Sequence, residues 1–297
     1  MDGLVCGGIK LDLRLDTQIN PAGIDWNNIW NKVNGANIKC GAYGECASIW
    51  ESKEQARAFL KNSIENPGRV HHIIESLPLS PDYRVLDIGS GPGTVAVPIA
   101  GRVGHVTAIE PSPGMAGVME EYAAESGVKN LSIVNKCWED IDLSADLEGS
   151  YDLVVASYSL GMQDLGESIK MMCEVSSKWI YLFWISGNPS WEKGLVNLWP
   201  KLHGKDFNCS PQADIIYNIL YSMGIYPNMK VSRLQNLNRF PDLDFAVSQY
   251  SSVYNIQNSE QEEILRGYLN KNLIKTEDGY ELPETNMCTA IWWDVGQ

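Results

Sequence analysis

Apolar positions along this chain change period several times, and those changes predict an alternation of helices and short strands. Val70, Ile73, Ile74 and Leu77 recur at i, i+3, i+4 and i+7, the signature of a one-faced helix. Upstream, Trp26, Ile29, Trp30 and Val33 mark a short amphipathic helix. A longer one runs from about Ser48 to Glu65, where Asn66-Pro67-Gly68 stops it. Leu11, Leu13 and Leu15 alternate with charged residues, as a half-buried strand does. From Arg84 the pattern becomes short, continuous apolar runs bounded by turn residues: 84–88, 105–110, 131–135, 151–157, 178–185, 229–234 and 288–293. Runs of this length are buried strands. Helical stretches fall between them at about 94–100, 165–176, 191–199, 215–220, 242–253 and 259–269. The expected architecture is α/β, a doubly wound, mostly parallel seven-stranded sheet. Residues 1–80 form a helical N-terminal extension, 81–297 the sheet domain, and about 186–228 a helical insertion within it.

The first run ends in an acid, Asp87, and passes into Gly89, Ser90, Gly91, Pro92 and Gly93. Glycine permits backbone angles closed to other residues, and its missing side chain lets a ligand lie against the main chain. A strand, a glycine turn and the N-terminus of a helix from Thr94 make a nucleotide-sized site. A dinucleotide fingerprint would read G-x-G-x-x-G, whereas the spacing here is G-x-G-x-G. An anionic Asp87 beside the ligand suits an amine-bearing compound better than a pyrophosphate.

The run D-I-G-S-G-P-G resembles the S-adenosylmethionine (SAM) loop of the class I, Rossmann-like methyltransferase family, and three further segments agree with it. His105 to Glu110 is a second strand ending in an acid about twenty residues on, where such folds place a carboxylate on ribose hydroxyls. Pro111-Ser112-Pro113-Gly114-Met115 looks like the family's helix-opening run, which lays an apolar side chain beside the adenine. Cys137-Trp138-Glu139-Asp140 follows the third strand, and the resemblance places an adenine-amino contact at Glu139, or at Asp140. Ser157 closes the fourth strand, ahead of Tyr158 and Asp164. The four motifs span Arg84 to Asp164. They imply SAM as cofactor, S-adenosylhomocysteine (SAH) as product, and donor contacts from Asp87, Gly89, Ser90, Gly91, Gly93, Glu110, Pro111, Met115, Trp138, Glu139, Asp140 and Ser157. They also imply that the insertion and the N-terminal helices cap an acceptor pocket. Arg57 or Arg69 would balance the methionine carboxylate.

Composition narrows the acceptor less directly. The net charge is -14, with no Lys/Arg cluster. Nucleic acid therefore looks an unsuitable partner, and a neutral, cationic or apolar small molecule is expected. The seven cysteines are scattered without a C-x-x-C pair, which reads as reduced thiols in a cytoplasmic protein. A soft-metal role for Cys40, Cys46 and Cys209 is the minority alternative, so no metal is expected. The longest apolar run, Trp179 to Ile185, is far below the ~20 residues of a membrane span. Methyl transfer from a sulfonium depends mainly on placing donor and acceptor in line, so acceptor-side residues leave little motif. Tyr158 and His203 are the candidate catalytic groups, with Tyr43, Trp184 and Trp191 as wall candidates. Competing expectations are a non-catalytic SAM-binding regulator or partner subunit and, further off, a nicotinamide-dependent oxidoreductase.

Overall fold

The computed structural model describes residues 23–40 and 52–296, with side chains placed except at 37–40. The expected strand at Leu11–Leu15, the helix start at Ser48, Tyr43, Cys46 and the Cys40 side chain lie outside that description. Ten α-helices and eight strands are present among the described residues. In chain order the strands are β1 (Arg84–Ile88), β2 (His105–Ile109), β3 (Leu131–Val134), β4 (Tyr151–Ser157), β5 (Ser176–Ser186), β6 (Asn228–Phe240), β7 (Ile274–Thr276) and β8 (Gly279–Asp294). They form one sheet in the order β3-β2-β1-β4-β5-β8-β6, with β7 paired on β8. The first five run parallel, while β8 is antiparallel to both β5 and β6. The seven-stranded expectation is thus corrected to eight. β7 is only three residues long and mostly exposed, so it lacks the apolar run that marks a strand.

Both faces of the sheet are covered, and the pleat decides which residue meets which layer. Leu86, Ile88, Val154, Ala156, Ile180 and Leu182 point to a core shared with helices α1 (Trp26–Cys40), α6 (Leu165–Val175) and α8 (Ala213–Ser222). Val85, Leu153, Val155, Tyr181 and Phe183 point the other way, to α3 (Gly68–Ser76), α4 (Ala96–Ala100) and α5 (Pro113–Glu125). The fully buried indole of Trp30 seats α1 on the first face and donates to the Met162 carbonyl at 3.2 Å. Helix α2 (Lys53–Glu65) lies on α5 through Ala56, Met115 and Val118. A third core brings α7 (Ser190–His203) together with α9 (Leu243–Val253), α10 (Ser259–Asn272) and the β6–β8 ribbon, around Leu195, Trp199, Phe240, Tyr254 and Leu265.

The helix expected from Thr94 begins at Ala96 and is five residues long. Residues 91–95 are turn, since Gly91 and Gly93 both hold left-handed angles that a right-handed helix excludes. Among the described residues, no helix is long and apolar enough to cross a membrane.

Candidate active site

The carboxyl ends of β1, β2, β4 and β5 meet at one edge of the sheet, beside the order switch between β1 and β4, where open α/β sheets bind ligands. Gly89, Gly91 and Gly93 all adopt left-handed angles, with φ of 67°, 57° and 81°. Their reasons differ. A Cβ on Gly89 would run into Ser159, whose hydroxyl donates to the Ile88 carbonyl at 2.5 Å and ties the β4 end to β1. One on Gly93 would meet Met119 and Val97. Gly91 alone of the three faces open space, so it is the glycine that a ligand can approach.

The loop's N–H groups are already spoken for. Gly89 and Ser90 donate to the Ile109 carbonyl at 2.8 and 3.0 Å, and Gly93 donates to Ser90 at 3.1 Å. Gly91 donates to Glu110 Oε2 at 2.8 Å, and Pro92 has no N–H. A pyrophosphate needs several free amides at such a turn, and from Gly89 to Gly93 none remains. The amides of the loop itself therefore offer a pyrophosphate nothing, and the case for a dinucleotide weakens.

What the loop offers instead is carboxylate. Asp87 is 2% exposed, and its Oδ2 has no hydrogen-bond partner among the described residues. Burial pushes its carboxyl up to about 7, against the opposing hydrogen bond of Ser90, and the nearby Glu110 charge adds to the rise. Glu110 is also raised by burial, though it accepts from Gly91 and from the Ser112 N–H at 2.9 Å. Each Glu110 oxygen keeps a second lone pair. A cationic amine would satisfy the orphaned Asp87 oxygen, and ribose hydroxyls could share Glu110, so these residues fit a SAM-like ligand.

The other expected donor residues are distributed unevenly. Pro111 holds its carbonyl toward Asn135, whose Nδ2 also bonds the Glu110 carbonyl at 2.7 Å and so fixes β2 against β3. Met115 is buried under α2 with Ala56 and Val118. Trp138 packs in the first core and donates to the Ser168 carbonyl at 3.2 Å, so its ring is a packing group. Glu139 and Asp140 are exposed on a single 3-10 turn, and Ser157 is half-buried at the end of β4.

Among the residues expected on the acceptor side, Tyr158 takes a φ of 57°, a backbone that bulky residues seldom adopt. Its hydroxyl donates toward the Cys288 thiol on β8, and burial drives its pKa upward. Its ring centroid lies 6.4 Å from that of Trp184, which in turn lies 5.6 Å from Trp30. Trp184 Nε1 donates to the Pro211 carbonyl at 2.7 Å. The neighbouring Ser210 N–H bonds Glu192, a carboxylate with 0% exposure whose Oε2 has no hydrogen-bond partner among the described residues. Sequence gave no signal for Glu192, which reads as an ordinary first-turn helix acid.

His203 is not brought to this edge. Its Nε2 engages the Tyr254 carbonyl at 2.9 Å, and its ring sits tilted against Trp199 of the third core, 4.1 Å between centroids. Trp191 is exposed. Arg57 pairs with Glu121 across α2 and α5 at 3.0 Å, as a surface cation does. Arg69 behaves differently, with its guanidinium 5.2 Å over the Tyr158 ring.

Residues 85–177 match a family described as a methyltransferase domain. An uncharacterized protein of Haemophilus influenzae is 28% identical over 193 residues, 65% of this chain and 69% of its own length. Among solved structures, a putative methyltransferase from Bacillus halodurans C-125 superposes with a TM-score of 0.53 at 12% identity, covering 76% of this chain and 98% of that one. Residues 85–177 thus carry a methyltransferase domain of the class I, SAM-dependent kind, with SAM as its methyl donor.

The exclusion of nucleic acid does not hold. Matching relatives include a 23S rRNA (uracil(1939)-C(5))-methyltransferase of Klebsiella pneumoniae, 32% identical over 95 residues. They also include a ubiquinone biosynthesis O-methyltransferase of Xylella fastidiosa, 39% identical over 64 residues. The chain spans only 22% and 26% of those two proteins. The matched part therefore carries no acceptor class, and net charge averages over a surface of which an acceptor touches little.

Proposed function

We propose that the chain methylates a small-molecule acceptor held between the ends of β4 and β5 and the helices that cover them. The observation that carries this reading is the aromatic row of Tyr158, Trp184 and Trp30, which begins at the residue just past the end of β4. Flat apolar walls of this kind suit a compact organic molecule. Bound SAM supplies a methyl on a sulfonium, an already activated leaving group.

The chain's own residues then bind, orient and exclude water. Asp87 takes the donor's ammonium, Glu110 its ribose hydroxyls, and Gly91 yields the space. Glu139, or Asp140 next to it, takes the adenine amino group. Trp184, pinned by Pro211, and Tyr158, pinned by Cys288, set the approach so that the acceptor atom lines up with the methyl. Neither Tyr158 nor His203 is a ready base. Burial holds the phenol protonated, and the histidine is engaged elsewhere, so an acceptor needing deprotonation must arrive acidic or meet another group. Residues 1–80 and about 186–228 act as the cap in this reading, joined by α9 and α10 through the third core.

An RNA acceptor is the second reading, favoured by the rRNA methyltransferases among the relatives. The two separate with methyl-tritiated SAM offered to a small-molecule filtrate and, in parallel, to total RNA. Label entering the filtrate supports the first reading, and label entering RNA replaces it. Donor binding without transfer to either pool leaves the non-catalytic regulator.

A further inference from the structure

We infer that Arg69 is an anion subsite of the acceptor pocket, and that the molecule methylated here carries a carboxylate or phosphate that its guanidinium binds. This rests on the reading of a small-molecule acceptor and adds its chemical class. Arg69 stands in the first turn of α3. Its guanidinium lies between two rings from different elements, 5.6 Å from Phe59 of α2 and 5.2 Å from Tyr158. It is half-buried and desolvated, with its pKa pulled down by that burial. Arg57, Arg102, Arg239 and Arg266 each pair with an acid, whereas Arg69 meets no carboxylate among the described residues. Its polar neighbours are the Tyr158 hydroxyl and the Cys288 thiol. Burial raises the pKa of both, so neither supplies negative charge at neutral pH. A desolvated cation without a counter-charge is costly, and the missing partner is an anion.

Position separates the acceptor from the donor as its source. The donor groups, Asp87, Gly91 and Glu110, stand at the ends of β1 and β2. Tyr158 directly follows β4 and Cys288 lies on β8, both on the other side of the order switch. The planar guanidinium, restrained by rings, presents paired N–H groups that match the two oxygens of a carboxylate or phosphate. On a chain of net charge -14, this is a local departure from the field that otherwise repels anions.

The test uses wild type, Arg69→Gln and Arg69→Lys. Each is titrated with SAH and then, loaded with SAH, with benzoate, phenyl phosphate and neutral benzamide. Wild type should prefer one of the two anions over benzamide by about tenfold or more, and whichever wins names the oxyanion. Arg69→Gln should abolish that preference while SAH affinity stays within about twofold, and Arg69→Lys should keep part of the preference. Absence of preference in wild type overturns the inference without needing either variant to fold. Preference that survives in Arg69→Gln, above all with weakened SAH binding, would assign the cation to the donor instead. Failure of wild type to bind SAH is read in the first titration; it removes the methyl-transfer reading and this inference with it.

Discussion

Replacing Asp87 with asparagine should stabilise the unliganded protein above neutral pH while damaging donor binding. The side chain is sealed at the end of β1, with one oxygen lacking a partner among the described residues. Burial lifts its carboxyl from 3.8 to about 7. Below the lower value the group is neutral in both folded and unfolded chains, and no penalty arises. Between the two values the unfolded chain ionises and the folded one does not, so stability falls as pH rises; above about 7 the loss is complete. A rise of about three units corresponds to a destabilisation of about 4 kcal/mol at its upper bound. Of this, about 2 to 3 kcal/mol develops between pH 5 and pH 8. Urea unfolding of the apo protein at those two pH values reads it directly. Wild type should lose that much relative to Asp87→Asn, since the other raised carboxyls, Glu110, Glu192 and Glu284, are common to both. SAH affinity of wild type should strengthen from pH 6 to pH 8 as Asp87 ionises toward the ligand's ammonium, and the variant should show no such rise. Parallel stability profiles for the two proteins would refute the reasoning.

Other substitutions divide donor site, acceptor site and scaffold. Gly91→Val should reduce SAH affinity at least about tenfold with a melting loss of only about 1–3 kcal/mol, from the left-handed backbone; Gly89→Ala should instead unfold readily, since its Cβ meets Ser159. Calorimetry and thermal melts of the pair separate the roles. Glu110→Gln loses one of two backbone hydrogen bonds and should weaken SAH by about 1–3 kcal/mol, measured by titration. Trp184→Ala and Tyr158→Phe should lower methyl transfer while leaving SAH affinity within about twofold; equal damage to both would undo the division of the site. Trp30→Ala, which empties a fully buried site, should cost about 3–5 kcal/mol in denaturant unfolding.

The sheet was legible where its strands, such as β1, β2 and β4, are buried on both faces and must be continuously apolar. The runs at 84–88 and 151–157 coincide with β1 and β4, residue for residue. β6 and β8 were read too short: beyond the sheet they form a solvent-flanked ribbon, where polar residues such as Gln235, Asn236 and Glu284 break the pattern. β7 left no pattern at all. Within the donor site, the glycines and acids carry a motif because backbone geometry demands them in sequence. The proposed acceptor side does not. Trp30, Arg69, Tyr158 and Trp184 come from α1, α3, the end of β4 and β5, and no local spacing records the ring contacts that link them. Trp138, a motif position, carries a second duty, since its ring packs in the first core. The exclusion of RNA failed for a related reason, a whole-chain charge having been applied to a local question.

Titration of the purified chain with SAH at pH 8, beside Gly91→Val under the same conditions, tests the donor site most directly. Saturable one-to-one binding to wild type, weakened at least about tenfold in the variant, is the expected result. No heat from wild type, or equal affinity in the two proteins, would mean that the turn after β1 does not hold the methyl donor.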